Sequence, residues 1–294
     1  MNSIEVNHIT KDYGQGKGVF DVSFTVNDGE VLGFLGPNGA GKTTTIRQLM
    51  GFMKPDKGTV SILGKDCFKD AKTIQENIGY LPGEITFMDD ITGKEFIQFI
   101  ADLKGIKDMS KAYELIEYFE LNPTGKIKKM SKGMKQKIGL VCAFMQDPDI
   151  YIFDEPTSGL DPLMQNKFVD LVIKEKEKGK TILMSSHIFE EVEKTCDRVA
   201  IIKDGHIVAI DKIDNLKQNK VKHFSITFKV EKDALEFQKK YPDAIIDKNC
   251  IQLKVKDITT FIQSLQNYQI KDLDIKTQTL EELFLHFYGG DKNA

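Results

Sequence analysis

Residues 36–44, GPNGAGKTT, have the types and spacing of a loop that binds phosphate groups. They follow the apolar run VLGFL and precede a helical pattern, which is the setting that the pattern G-x-x-x-x-G-K-[ST] requires. Glycines allow backbone N–H groups to curl around phosphate oxygens, and the start of the helix adds a favourable dipole. Lys42 would then reach the β and γ phosphates of a nucleotide, and Thr43 would bind Mg²⁺. The candidate phosphate-binding residues are Gly36, Asn38, Gly39, Gly41, Lys42, Thr43 and Thr44.

A second candidate element is residues 150–155, IYIFDE, where an apolar run ends in two carboxylates. If this run is a buried parallel strand, Asp154 and Glu155 lie at the carboxyl edge of the sheet, where ligands bind. Asp154 would hold the Mg²⁺ shell, and Glu155 would orient and deprotonate an attacking water. A DE pair after an apolar run is by itself a common strand end. Together with the phosphate loop it predicts hydrolysis of a phosphoanhydride.

These motifs need a sheet to position them, and the apolar patterns predict one. Alternation in IEVNHI, GVFDVSFTV and EVLGFLG predicts an N-terminal sheet, and residues 92–145 have a mostly helical pattern. The apolar runs IYIFDE and TILMSSH each lie beside a helical pattern. We therefore expect a parallel sheet that helices cover on both faces.

The pattern changes after about residue 215. Short apolar alternations and two helical stretches predict a small β-α-β-β-α-β unit without a phosphate-contacting motif. The closing TQTLEELFLHFYGG predicts a short amphipathic helix ended by glycines. We interpret this part of the chain as a second domain.

The bulk composition restricts the classes of protein that remain. The chain has 294 residues, of which 40% are hydrophobic and 29% charged, as in ordinary globular proteins. A formal net charge of −3 disfavours a polyanion such as nucleic acid as the main partner. The sequence offers no apolar run of about 18 residues to span a membrane. The cysteines are Cys67, Cys142, Cys196 and Cys250. They are too widely spaced for a zinc site or a disulfide scaffold, and this spacing favours a reducing cytosol.

Residues 130–137, MSKGMKQK, are ambiguous when taken alone. Their lysines, with those just before them, are typical of a solvated basic face. A serine and a glycine among these charges also allow them to be half of a binding site. Only the rest of the chain distinguishes the two interpretations.

Four stretches in their order and spacing resemble the ATP-binding subunit of an ABC transporter: GPNGAGKTT, MSKGMKQK, IYIFDEPTSGLDP and MSSH. The resemblance covers roughly residues 1–215. It implies an α/β fold with a P-loop (RecA-like) ATPase core, an N-terminal antiparallel β subdomain and an inserted helical subdomain, followed by a small C-terminal α+β domain. The expected boundaries are 1–216 for the ATP-binding domain, about 85–146 for the helical insert, and 217–294 for a regulatory or accessory domain.

The resemblance gives MSKGMKQK a role. In the family, the pattern LSGGQ stands about twenty residues before the second carboxylate motif, which is the position of residues 130–134, here named the signature segment. Ser131 and Gly133 would bind the γ-phosphate of an ATP molecule that the opposite subunit of a dimer holds. Met130, Lys132 and Met134 depart from the family pattern.

Further residues acquire roles only through the resemblance. Tyr13 matches the aromatic residue that stacks on adenine, although a lone tyrosine near a strand end is more often packing. His187 matches the histidine that contacts the γ-phosphate, and Asp161 matches the loop that crosses the dimer interface. The family's glutamine after IGYLP is replaced by Gly83. The following Glu84 would either reach the metal through a water or be a solvated loop charge.

The predicted function is an ATP-binding and ATP-hydrolysing subunit, with ATP and Mg²⁺ as cofactors, that powers a separate transmembrane permease subunit. It would act as a homodimer, or a heterodimer with a paralogous ATPase, on the cytoplasmic inner face of the membrane. The variant signature segment, GYLP and the ending TLEELFLHFYG favour export by a drug, bacitracin-type or ABC-2 system.

Two alternatives remain open from the sequence. A soluble ABC ATPase acting on ribosomes or DNA is disfavoured, because the chain has one phosphate loop and no long coiled coil. A regulatory module that binds ATP without hydrolysing it is disfavoured because Glu155 is present.

Overall fold

The computed structural model of the chain describes residues 2–88, 90–218, 222–255 and 258–277. It divides into two compact units, Met1–Ile213 and Asp214–Ala294. The sequence predicts a closing amphipathic helix that begins at residue 277. The residues of that helix after 277 lie outside the described part of the chain. Of the helices within the described ranges, none has both the length and the apolar character needed to cross a bilayer.

A six-stranded sheet forms the centre of the first unit, in the order β10-β9-β3-β8-β7-β6. All neighbours pair in parallel except β9 and β10, which form an antiparallel hairpin. Every residue of β3, β7 and β8 is buried, as expected for a parallel sheet with both faces covered. The strands are β3 (Val31–Leu35), β6 (Ile78–Leu81), β7 (Ile150–Asp154), β8 (Thr181–Ser186), β9 (Arg198–Lys203) and β10 (His206–Lys212).

A second, antiparallel sheet contains the N-terminal strands, in the order β2-β1-β4-β5. Its buried side chains, such as Ile4, Val6 and Phe24, belong to the same hydrophobic core as Phe34 of the central sheet. The N-terminal sheet expected from alternation is therefore present. Its strands are β1 (Asn2–Asp12), β2 (Gly18–Asn27), β4 (Lys57–Ile62) and β5 (Lys65–Asp66).

Helices connect the strands of the first unit, and three of them form the insert between β6 and β7. The insert begins with a capping box, because Thr92 accepts from the Glu95 N–H while the Glu95 carboxylate accepts from the Thr92 N–H. Its elements are α3 (Gly93–Leu103), α4 (Ser110–Tyr118), a 3₁₀ turn (Ile127–Lys129) and α5 (Lys132–Phe144). The remaining helices of this unit are α1 (Lys42–Leu49), α2 (Ala71–Glu76), α6 (Pro162–Glu177) and α7 (Phe189–Thr195), and α8 (Ile213–Gln218) spans the boundary between the two units in the sequence.

The second unit is an antiparallel sheet with two helices and a core of its own. Alternate residues of one strand, Ile251, Leu253 and Val255, are buried in that core with Phe224 and Phe237. The elements follow the order β-α-β-β-α-β: β11 (Lys222–Phe228), α9 (Glu231–Gln238), β12 (Ile245–Asp247), β13 (Cys250–Val255), α10 (Ile258–Ser264) and β14 (Ile270–Thr277). The sheet order is β12-β13-β11-β14.

Candidate functional site

The phosphate loop, residues 36–44, connects β3 to α1. Gly41 has a φ of 111°, and a Cβ atom built there would lie 2.5 Å from Cγ1 of Val19, so both the backbone and the space require glycine. The N-cap residue of α1 is Gly41, which has no side chain to cap the helix. Its first backbone N–H groups therefore remain available to an anion, and the helix dipole favours one.

The Lys42 side chain is folded back onto this loop. It is 5% exposed, and its Nζ donates to the carbonyl oxygens of Gly36 at 2.6 Å and Pro37 at 3.2 Å. The same Nζ lies 3.0 Å from Oε1 of Glu155. A buried ammonium is thus held between the phosphate loop and the end of β7, where it can pair with phosphate oxygens.

Asp154 is the last residue of β7 and pairs in register with Ser185 of β8. The Ser185 hydroxyl donates to Oδ1 of Asp154 at 2.6 Å. The other carboxylate oxygen, Oδ2, is buried and has no hydrogen-bond partner among the residues that the structure describes. Because a buried carboxylate oxygen is costly without a partner, Asp154 fits the role of a ligand for a hard cation such as Mg²⁺.

Glu155 leaves the strand with a left-handed backbone, at a φ of 50°. Such a conformation is unfavourable for a residue other than glycine, but Ser185 stabilises it. The Glu155 N–H donates to the Ser185 hydroxyl at 3.0 Å and to its carbonyl at 3.3 Å. The turn places the Glu155 carboxylate between Lys42 and His187, whose Nδ1 lies 2.6 Å from Oε2.

These elements surround a cavity of about 480 Å³, within the size range of small-molecule sites. Most of the predicted residues contact it, namely Tyr13, Asn38, Gly39, Gly41, Lys42, Thr43, Thr44 and Glu155. The lining also includes residues that sequence reasoning missed: Gly16, Lys17, Gly18, Pro37, Asp204 and Gly205. The last two form the β9–β10 turn, where Gly205 donates to Ala40 and accepts from Phe20 through its backbone.

The Tyr13 side chain lines this cavity and is 53% exposed. Its hydroxyl donates to Sδ of Met53 at 2.9 Å. The ring is therefore held at one end while much of it stays accessible. A tyrosine buried only for packing would not be this open, and an accessible ring suits stacking on a base.

Ser131, Gly133 and Asp161 do not belong to the lining of this cavity, as far as the described residues define it. Ser131 is the N-cap of α5, and its hydroxyl accepts from the Met134 N–H at 3.2 Å. Asp161 caps α6 in the same way, through Met164 at 3.1 Å. Both side chains are exposed, so each presents polar atoms to the outside of the chain.

Gly83 lies directly against the Asp154 carboxylate. A Cβ atom at this position would be 3.1 Å from Oδ2 and 3.3 Å from Cγ. Glu84, by contrast, is exposed. The backbone at Gly83 therefore occupies the space beside the candidate metal ligand, where any side chain would crowd the carboxylate.

Sequence reasoning missed Ser185, which hydrogen-bonds the Asp154 carboxylate and the Glu155 backbone, and it missed Glu191. Glu191 is 5% exposed and accepts from the Ser186 hydroxyl at 3.0 Å. Burial raises the pKa of the Glu191 carboxyl above its usual range, and the nearby Glu155 charge adds to the effect. The signal for Ser185 was its position at the end of an apolar strand, beside another strand that ends in a functional carboxylate.

Comparison with known proteins identifies the family. The family described as "ABC transporter" matches residues 19–158. The "Uncharacterized ABC transporter ATP-binding protein YhcH" of Bacillus subtilis (strain 168) is 34% identical, and the match covers 98% of this chain and 97% of that protein. The "Bacitracin transport ATP-binding protein BcrA" of Bacillus licheniformis is 35% identical over 82% of this chain and 79% of that protein.

A solved structure agrees with these matches. This chain is similar to a solved structure described as "Structure of ATP binding subunit of ABC transporter", with which it shares 32% sequence identity. The TM-score is 0.67, and the match covers 73% of this chain and 92% of that chain. The resemblance inferred from the four sequence stretches is thus confirmed, and so is the predicted fold class. The chain belongs to the ABC transporter family, as an ATP-binding subunit with ATPase activity.

Proposed function

We propose that two such chains enclose two ATP molecules, each held by the phosphate loop of one chain and the signature segment of the other. One observation carries this proposal. The cavity of a single chain brings together the phosphate loop, Lys42 and Glu155, while Ser131, Gly133 and Asp161 lie outside its described lining. Helix caps orient the Ser131 and Asp161 side chains. A second chain would complete the site. The partner chain is a second copy or a paralogous ATPase.

Thr43 and Asp154 would hold Mg²⁺, because Thr43 lines the cavity and Oδ2 of Asp154 lacks a partner among the described residues. Bound Mg²⁺ would neutralise charge on the β and γ phosphates. Gly36, Asn38, Gly39, Gly41 and Thr44 would contribute the loop that surrounds them.

The hydrolytic step uses side chains that are already in contact. When the γ-phosphate enters, Lys42 turns its ammonium from Glu155 to the phosphate oxygens, and the Glu155 carboxylate becomes free to accept a proton. A water molecule attacks the γ-phosphorus and gives its proton to Glu155, while the bond to the bridging oxygen breaks and releases ADP and phosphate. His187, now beside Glu155, would orient the phosphate. Tyr13 would stack on the base.

The work of this subunit would be export through a separate membrane-spanning permease subunit, with the ATPase bound peripherally to the inner face of the membrane. The name of the Bacillus licheniformis relative, a bacitracin transport protein, supports transport of this kind. The net charge of −3 supports a partner other than nucleic acid. The second unit would have a regulatory or accessory role, because it has its own core and its sequence carries no phosphate-binding motif.

The concentration dependence of ATP turnover tests this proposal. If each site needs two chains, turnover per chain should rise with protein concentration and then level off as dimers form. The measurement uses the full chain with Mg²⁺ and saturating ATP. Turnover per chain that stays constant down to concentrations at which light scattering shows only monomers would contradict it.

A further inference from the structure

Lys132, which replaces a glycine of the family pattern, has a defined contact. Its Nζ donates to the Ser158 hydroxyl at 2.8 Å. Its aliphatic stem crosses Gly159, where an added Cβ atom would lie 2.9 Å from both Cγ and Cδ of Lys132. Gly159 also has a φ of 81°, so the loop can pass beneath the stem only with glycine at this position. The lysine is therefore not a freely solvated charge.

The first turn of α5 is packed against the same loop at two further points. A Cβ atom at Gly133 would lie 2.7 Å from the carbonyl oxygen of Gly159. One turn later, the buried Gln136 donates through Nε2 to the carbonyl oxygens of Pro156 at 2.8 Å and Glu155 at 3.3 Å. Lys132 and Gln136 lie four residues apart, on one face of the helix. Together they attach α5 to the loop of residues 155–161.

Helix stability does not explain a lysine at this position. A cation in the first turn is unfavourable because the helix dipole is positive there. Lys132 is the first residue of α5, and no acidic residue in the first turn compensates for it. We therefore attribute the presence of a lysine here to the contact of its ammonium group with the loop of residues 155–161.

We propose that Lys132 is a positioning residue that fixes the 155–161 loop to the signature segment. This inference rests on the proposed function. The loop begins with Glu155 and ends with Asp161, and α5 begins at the Ser131 cap. With the two joined, Ser131 and Asp161 face the partner chain as one surface, at a fixed distance from the catalytic carboxylate of their own chain.

The test is a double-mutant cycle on steady-state ATP hydrolysis. Lys132→Met keeps the stem and removes the ammonium, and Ser158→Ala removes the acceptor. Each should lower kcat by about tenfold and leave KM for ATP within about twofold, because a hydrogen bond to a charged group is lost outside the nucleotide cavity. The double variant should be no slower than either single variant, since both remove one contact.

Three measurements distinguish a positioning role of Lys132 from a general effect on the stability of the fold. Lys132→Arg, which retains a cation, should recover part of kcat. Lys135→Met, on the same helix, should behave as wild type. The melting temperature of Lys132→Met should stay close to that of wild type, because relief of the unfavourable charge at the helix start offsets the lost hydrogen bond.

Wild-type kcat in Lys132→Met would overturn the inference. So would a loss in Lys132→Met with none in Ser158→Ala, which would assign the ammonium to the phosphate instead. If the proposed function itself were wrong, ATP turnover by the wild-type chain would not depend on Glu155 or on dimer formation. A wild-type chain that depends on both, with a Lys132→Met chain as active as wild type, would reject only the role of Lys132.

Discussion

Two helices of the ATPase unit, α1 and α5, begin in the same way, with lysine as the first residue after a capping position. The first lysine, Lys42, is buried and pairs with Glu155. The second, Lys132, is exposed and contacts the neutral Ser158 hydroxyl. The phosphate loop thus contacts the catalytic Glu155 within one chain, whereas Lys132 of the signature segment contacts Ser158, which is not a catalytic side chain.

This difference shows what one chain can and cannot do. The buried half of the site already has its cation and base in contact, and Ser185 hydrogen-bonds both the candidate metal ligand Asp154 and the Glu155 backbone. The exposed half has a hydroxyl whose oxygen accepts from a backbone N–H, which leaves its own proton free to donate. Changes in the buried half should therefore abolish chemistry within the same chain. Changes in the exposed half should act on the partner's nucleotide.

The largest effect is expected in the buried half, from Glu155→Gln. Removing a positioned general base typically costs ~10²–10⁴-fold, so we expect turnover to fall by at least ~10²-fold while ATP binding persists. Hydrolysis and equilibrium ATP binding of the purified protein measure the two effects. Glu190→Gln is the matched control, because Glu190 is an exposed carboxylate paired with Lys194 on the helix surface. Near-normal turnover in Glu155→Gln would assign the base elsewhere.

In the exposed half, Ser131→Arg should lower turnover by at least about tenfold, because a hydrogen bond to a phosphate oxygen is lost and the site is obstructed. Arginine also removes the helix cap, which by itself costs about 1 kcal/mol. Ser131→Asp separates the two effects, since aspartate keeps the cap but repels phosphate. Both variants should be slow, and only Ser131→Arg should melt earlier. Wild-type turnover in Ser131→Asp would contradict the role of the hydroxyl.

A smaller effect is expected beside the metal ligand, from Gly83→Ala. The added Cβ atom would lie 3.1 Å from Oδ2 of Asp154, so the carboxylate must shift by a few tenths of an ångström. We expect a few-fold rise in the Mg²⁺ concentration that gives half-maximal turnover. Gly125→Ala is the control, because its Cβ atom would meet only the tip of Met130 at 3.8 Å. Unchanged Mg²⁺ dependence in Gly83→Ala would remove Asp154 from the metal site.

The smallest effect is expected on the stability of the folded chain, from Glu191→Gln, a buried residue near Glu155. Burial raises the pKa of Glu191 above 4.5, so above pH 4.5 the folded chain binds more protons than the unfolded chain. The free energy of unfolding therefore falls as pH rises through that window, and glutamine removes the loss. Glu191→Gln should melt about 2 °C or more above wild type at pH 8, and the difference should vanish near pH 4. A difference that does not depend on pH would contradict the buried carboxyl.

The sequence predicts the parts of the site that depend on local backbone. The phosphate loop is recognisable because its glycines, lysine and threonines are consecutive, and the strands because their apolar runs are continuous. Contacts between distant segments are not recognisable in this way. Ser185 meets Asp154 only through the register of β7 and β8, and Lys132 meets Ser158 across 26 residues. The Asp204 turn reaches the cavity only because β9 pairs with β3.

The most direct test of a site shared between two chains is to mix two variants that damage different halves. Lys42→Ala removes the phosphate grip and keeps the signature segment, whereas Ser131→Arg does the reverse. Neither homodimer contains an intact site. With random pairing, about half of the dimers are mixed and each contains one intact site, so activity should recover to about a quarter of wild type if sites act independently.

The assay should include cross-linking to show that mixed dimers form, and the membrane partner if isolated chains dimerise weakly. Recovery of ATP hydrolysis on mixing, from two chains that are each inactive alone, is the result that a shared site predicts. No recovery in mixtures that demonstrably contain mixed dimers would contradict it, and so would full activity of the Ser131→Arg chain alone.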